Sequence, residues 1–118
     1  MLIYFEMISE NVNINFKVFG KKEDNVLIFP DKSVPNTIMN VIIENNKIEI
    51  IRSGNVNMRQ VFKLGTKIEG YYKTSDGIEF EIACYTKELS VTENSITILY
   101  EHYLEDKWQS SNKLKILF

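Results

Sequence analysis

Apolar and polar residues alternate along the chain in short runs rich in β-branched and aromatic side chains, with Gly, Asn, Asp or Pro between the runs. This period of two predicts strand after strand, and no long window carries apolar residues at helical spacing. The predicted strands are Leu2–Ile8, Val12–Phe19, Val26–Phe29, Thr37–Glu44, Lys47–Ser53, Met58–Leu64 and Lys67–Lys73, followed by Ile78–Leu89, Ile96–Leu104 and Trp108–Phe118. Asn45-Asn46 and Ser75-Asp76-Gly77 between them supply residues that tolerate the positive φ of a tight hairpin. Gly20 to Asn25 and Pro30 to Pro35 read as longer polar connections, and both prolines fall in the second of these, outside any central ladder.

Parity assigns the faces, because successive side chains of a strand point to opposite sides of its sheet. In the second half the even positions are apolar and read as inward: Ile48, Ile50, Met58, Phe62, Leu64, Ile68, Tyr72, Ile78, Phe80, Ile82, Ile96, Ile98, Leu104, Trp108, Leu114, Ile116 and Phe118. Lys and Glu dominate the odd positions, from Lys47 and Glu49 through Arg59, Lys67, Glu79 and Glu81 to Glu101, Lys113 and Lys115. A meander with one dry face can close on itself and so remove its exposed edges. The short hairpin connections favour an all-β, single antiparallel up-and-down β-barrel of about eight to ten strands over a two-sheet sandwich, which usually needs long crossing connections.

The 118 residues suffice for one core, so the expectation is a single domain over 1–118. A hydrophobic fraction of 44% with 25% charged residues is ordinary for a globular chain and leaves no polar block that would read as disorder. The formal net charge of -2 is scattered along the sequence, which argues against nucleic acid as a partner. Met1 to Phe5 is too short and lacks the basic leader of a signal or membrane segment, so no membrane partner is expected. The single cysteine, Cys84, cannot form an intramolecular disulfide, and a cytoplasmic location follows as the simpler expectation. Abundant Asn, Ile and Lys fit an AT-rich bacterial genome.

From Arg52 to Tyr100 the sequence carries Arg52-Ser53-Gly54, Val56, Met58-Arg59-Gln60-Val61-Phe62, Gly65, Tyr72-Lys73-Thr74, Gly77, Tyr85-Thr86-Lys87 and Ile98-Leu99-Tyr100. This set resembles the YwiB-like family of bacterial proteins, a domain of unknown function, and its most specific part is Arg-x-Gly-x-Val-x-Met-Arg-Gln-x-Phe. The resemblance runs from about Asn36 to the C-terminus and is loose before that; the family usually opens with a further strand, so this chain is expected to begin one strand short. What the resemblance implies is a calycin (lipocalin-like) barrel, a class that often holds small apolar ligands. It implies no reaction and no catalytic residues.

Few residues have the chemistry of a site. Nucleophilic catalysis pairs Ser or Cys with His, and the one histidine, His102, falls on the inward face beside Tyr100 and Leu104, as a cavity contact or a hydrogen-bonded interior residue. No pair of Cys or His supports a metal site, and no cofactor is expected. Cys84 reads as a small buried hydrophobe, the glycines at 54, 65, 70 and 77 as turns and bends, and Glu79 and Glu81 as solvated outer-face residues. Arg52 shares the inward parity of Ile48 and Ile50, and a buried guanidinium needs an anion. That anion is either a ligand carboxylate or an internal partner such as Glu6, Glu44 or Glu88. Gln60, Thr86, Ser110 and Asn112 add a polar minority to the same face, lining a cavity or a wet barrel mouth.

Three functions are compatible with this pattern. The first is a binding barrel that holds a small apolar or amphipathic ligand, with Arg52, Gln60, Tyr72, Thr86, Tyr100 and His102 as candidate ligand-binding residues. Large inward side chains, Phe62, Tyr72, Phe80, Trp108 and Phe118, weigh against a cavity. The second is a solid-core interaction module that forms a homodimer through outer aromatics such as Tyr71, Tyr85 and Tyr103. The third, an enzyme, would need a polar cleft that joins His102 and Arg52.

Overall fold

A computed structural model describes residues 1–118. Eleven strands form one antiparallel sheet: β1 Leu2–Ile8, β2 Asn13–Phe19, β3 Lys21–Glu23, β4 Val26–Pro30, β5 Thr37–Glu44, β6 Lys47–Gly54, β7 Val56–Phe62, β8 Lys67–Thr74, β9 Glu79–Val91, β10 Ser95–Leu104 and β11 Lys107–Leu117. The spatial order is β2-β1-β11-β10-β9-β8-β7-β6-β5-β4-β3, so a single continuous sheet curls into a nearly closed up-and-down barrel. All ten predicted strands are present, and the connection Gly20 to Asn25 contains an eleventh, β3, which forms a hairpin with β4 through the positive φ of Asp24.

The two edges of the sheet, β2 and β3, are consecutive in the chain and meet at the seam. Gly20 turns the corner there: a Cβ at this position would lie 2.6 Å from the Ile28 carbonyl oxygen and 2.8 Å from Phe29 Cβ. Side chains carry closure further. The Phe29 ring of β4 packs 6.5 Å from Phe16 of β2 and 6.4 Å from Phe5 of β1, and Phe5 stacks on Phe16 at 5.2 Å.

Parity places the core as the alternation predicts. Ile48, Ile50, Phe62, Ile82, Ile96, Ile98, Leu114 and Ile116 are buried, joined by Ile3, Phe5, Leu27, Phe29, Met39 and Val41 from the first half. Three residues read as inward are not. Leu64 lies beyond the end of β7, joined to β9 only by an isolated bridge to Thr86, and Ile78 lies in the turn before β9, and both are exposed. Trp108 is 54% exposed because β11 bulges: His102 pairs with Ser110 but Tyr103 pairs with Trp108, leaving Gln109 as an extra residue. One extra residue turns every following side chain to the other face. A second bulge, at Lys87 between the pairs Tyr100–Thr86 and Leu99–Glu88, turns Leu89 inward against the core.

Candidate functional site

On four strands of the barrel the inward residues change character toward the same end. On β6, Ile48 and Ile50 are followed by Arg52; on β10, Ile96 and Ile98 are followed by Tyr100 and His102. On β7 and β11, which run the other way, Phe62 is preceded by Gln60 and Met58, and Leu114 by Asn112 and Ser110. Cross-strand registers Ile50–Gln60, Arg52–Met58, Tyr100–Asn112 and His102–Ser110 align these side chains in rows. The apolar end holds the buried core. The other end encloses a recess of about 300 Å³, bordered by the β1–β2 turn and the connection after β4. Its wall is half apolar, with Met7, Ile14, Val34, Val56 and Met58 beside the polar side chains.

Arg52 finds its anion inside the protein. Its Nε donates to Asp31 Oδ2 at 3.0 Å, and the two side chains are only 14% and 1% exposed. Neither Glu6, Glu44 nor Glu88 takes this role: Glu6 accepts from the Tyr4 hydroxyl and Glu44 pairs with Lys47 at the surface, and Glu88 is exposed. Asp31 is itself fixed by the turn it starts. Its Oδ1 accepts from the Ser33 backbone N–H at 2.9 Å and from the Ser33 hydroxyl, and its backbone N–H donates to the Thr37 carbonyl at 2.9 Å. An aspartate bonded to the backbone two residues on is a standard way to hold such a turn. Arg52 Nη1 donates to Gln60 Oε1 at 3.3 Å and lies 3.4 Å from Met58 Sδ, while Gln60 Nε2 donates to Cys84 Sγ at 3.7 Å. A continuous chain of bonds thus runs from Ser33 to Cys84.

Beyond this chain the polar groups are under-satisfied. Asn112 Oδ1, His102 Nδ1 and Thr86 Oγ1 are buried and make no hydrogen bond. Leaving such atoms unpaired is unfavourable, and most buried polar atoms in folded proteins have a partner. Burial, with no carboxylate nearby to offset it, lowers the pKa of His102, so the imidazole is neutral at pH 7. Burial also raises the Tyr100 hydroxyl, an effect that Cys84 reinforces and that Asn112, Arg52 and Gln60 oppose. The Tyr100 ring packs edge-on against Phe62 at 4.8 Å, at the boundary between the apolar core and the recess. Desolvation pushes the Cys84 thiol up to about 12, so at neutral pH it is a neutral donor and acceptor rather than a nucleophile.

Of the six residues singled out from the sequence, the fold brings Arg52, Gln60, Tyr72, Tyr100 and His102 to this one recess. Thr86 does not line it: it is fully buried, opposite Tyr100 on β9. Sequence reasoning missed Asp31, hidden in a connection that reads as polar surface; the Asp-x-Ser spacing of Asp31 and Ser33 was its one signal. Ser110 and Asn112 also line the recess, as their inward parity predicts. Arg52 and His102 do share a cleft, yet no hydrogen bond joins His102 to its neighbour Ser110 and no carboxylate orients the imidazole as a general base requires. The outer tyrosines lie on the neighbouring strands β8, β9 and β10, with Tyr103 opposite Trp108 of β11. Tyr85 is exposed, Tyr71 is half-buried, and Tyr103 lies under Lys67 Nζ at 4.0 Å from its ring centre.

These features define a nearly closed antiparallel barrel, with an apolar core toward one end and a polar-floored recess at the other. The chain belongs to the family described as Domain of unknown function (DUF1934), whose model matches residues 6–116, and so takes in most of the N-terminal third as well. It is similar to the crystal structure of ywiB protein from Bacillus subtilis, with a TM-score of 0.74 and 20% sequence identity over 98% of this chain and 87% of that one. At this identity the likeness shows the shared barrel fold. No curated protein matches the chain. No helix is long and apolar enough to cross a membrane.

Proposed function

We propose that this barrel is a binding module that holds one small amphipathic molecule in the recess, its apolar part against Met7, Ile14, Val34, Val56 and Met58 and its polar group toward Arg52, Gln60, Tyr72, Tyr100 and His102. The observation that carries this is the composition of the recess, half of whose lining is apolar while Arg52, Gln60, Tyr72, Tyr100 and His102 converge on it from four strands. Few polar groups set in an apolar wall is the usual composition of a small-molecule site, and about 300 Å³ lies at the low end of the size range for such sites. The reading groups the barrel with the calycin (lipocalin-like) proteins in use as well as in shape. A cytoplasmic setting accompanies it, since the one thiol, Cys84, is buried and unpaired.

Native mass spectrometry of the protein as purified from cells tests the reading. The expected result is a monomer with a reproducible small-molecule adduct that is lost in Met58→Trp, a variant that fills the recess while keeping its polar groups. An adduct unaffected by Met58→Trp, or a ligand-free dimer, would overturn it; the dimer would favour self-association through exposed outer aromatics such as Phe19 and Trp108.

A further inference from the structure

The sheet ends at two edges that meet at the seam, and they differ. Met1 and Gly20 exchange two hydrogen bonds of 3.0 Å, the N-terminal amine donating to the Gly20 carbonyl and the Gly20 N–H to the Met1 carbonyl. Doubly bonded pairs recur at every second residue of an antiparallel ladder, so Ile3–Val18, Phe5–Phe16 and Met7–Ile14 are bonded in the same way. Asn13, Asn15, Lys17 and Phe19 therefore turn their N–H and C=O groups to the other side of β2, where no strand is bonded to it. On the facing edge Lys21 of β3 pairs with Ile28 of β4, and the same register carried onward would set Phe19 against Pro30. Pro30 has no N–H to donate, and the turn held by Asp31 and Ser33 then leads the chain away from β2. The cover over β2 fades along the same direction: Val18 is buried, whereas Phe16 and Ile14 are half-buried although they point inward. Ile14 and Val34, one on each side of this gap, both line the recess.

We propose that the edge from Asn13 to Lys17 is a docking site for an extended segment of a partner protein, which adds antiparallel to β2 as a further strand. An extended backbone is the ligand whose donors and acceptors repeat at every second residue, as those of Asn13, Asn15 and Lys17 do, and strand addition of this kind takes its affinity from main-chain hydrogen bonds. Side-chain pockets set the sequence. The segment's residues opposite Phe16 and Ile14 point inward and are apolar, because they cover the half-buried flanks of those two side chains. Its residue opposite Lys17 points outward and is acidic, because Lys17 is exposed and makes no ion pair within the chain. The facing edge offers no second such site, since β3 is three residues long and already paired with β4, which ends at Pro30.

The probe is the peptide acetyl-Glu-Val-Thr-Val-Thr-amide, whose residues in order face Lys17, Phe16, Asn15, Ile14 and Asn13, titrated into the full chain with amide hydrogen exchange followed by NMR. In the free protein the amides of Asn13, Asn15 and Lys17 should exchange readily while those of Ile14, Phe16 and Val18 are protected by β1, and bound peptide should slow the first three by about tenfold or more. N-methylation of the central Thr, whose N–H faces Asn15, should weaken binding by about tenfold or more, whereas N-methylation of the Val that faces Ile14, whose N–H points away from β2, should change it by less than about threefold. Lys17→Glu should weaken the peptide by about threefold and favour the same peptide with Lys in first place. Three results would overturn the proposal: a peptide that leaves the amides of Asn13, Asn15 and Lys17 exchanging freely, equal effects of the two N-methyl groups, or protection of these amides that rises with the concentration of the chain alone, which would make a second copy the occupant.

Discussion

Replacing Asp31 with Asn removes the charge opposite Arg52 while keeping an oxygen for the Ser33 backbone and hydroxyl. Breaking a fully buried ion pair by removing one partner destabilises by about 3–5 kcal/mol, because the other charge is left without a counter-ion. Arg52 is 14% exposed and borders the recess, where water restores part of its solvation, so the loss should be smaller, about 2–3 kcal/mol. Arg52→Met should cost a similar amount, since the Asp31 carboxylate would keep only the Ser33 donors. If the two groups act as a pair, the double variant Asp31→Asn, Arg52→Met loses little more than either single change, a coupling of about 2 kcal/mol. For a chain of this size each single change lowers Tm by roughly 6–18 °C. Urea unfolding followed by far-UV circular dichroism measures all four corners of the cycle; fluorescence would serve poorly, because the one tryptophan is at the surface. Single costs below about 0.5 kcal/mol, or costs that add in the double variant to within about 0.5 kcal/mol, would refute the pairing.

Trp108→Ala should cost less than about 1 kcal/mol, and Trp108 should be readily quenched by iodide in the folded protein; a core tryptophan would cost about 3–5 kcal/mol and resist quenching. Gly77→Ala should lose about 1–2 kcal/mol by thermal unfolding, since Gly77 has φ 90° but open space around it. Gly20→Ala should lose more, because its methyl would push Ile28 and Phe29 apart at the seam. Cys84 should be inert to thiol reagents until the chain unfolds. Its thiol is raised by folding from 9.0 to about 12, so the folded state resists ionisation; this contribution to stability is complete below pH 9 and is lost as the pH rises toward 12, and Cys84→Ala should remove that part of the alkaline slope. His102, the one histidine, should titrate below 6.5 by NMR. Folding lowers its pKa, so its contribution is present above 6.5 and is lost as the pH falls through the folded value, a loss that His102→Gln should abolish.

The alternation of residues such as Lys113, Leu114, Lys115 and Ile116 makes the barrel legible in sequence, because a strand with one dry face must show period two. It also made five recess residues legible, since Arg52, Gln60, Tyr72, Tyr100 and His102 keep the inward parity of their apolar neighbours. What parity cannot register is an inserted residue. The bulges at Lys87 and Gln109 leave no compositional mark, and they turn Leu89 in and Trp108 out. Asp31 was illegible for another reason. Its burial depends on a loop of polar sequence folding back over Arg52, 21 residues away, and no local pattern encodes that contact. The short β3 was hidden because Lys21, Lys22 and Glu23 are all exposed, so no dry face betrays a strand.

The four methionines report on the recess most directly. Met7 and Met58 line it, Met39 is buried in the apolar core, and Met1 is exposed. Methyl-labelled methionine NMR spectra of the protein as purified, compared with the same protein unfolded, washed free of small molecules and refolded, should differ at Met7 and Met58 and coincide at Met39 and Met1. Spectra that superimpose at all four methyls would contradict an occupied recess.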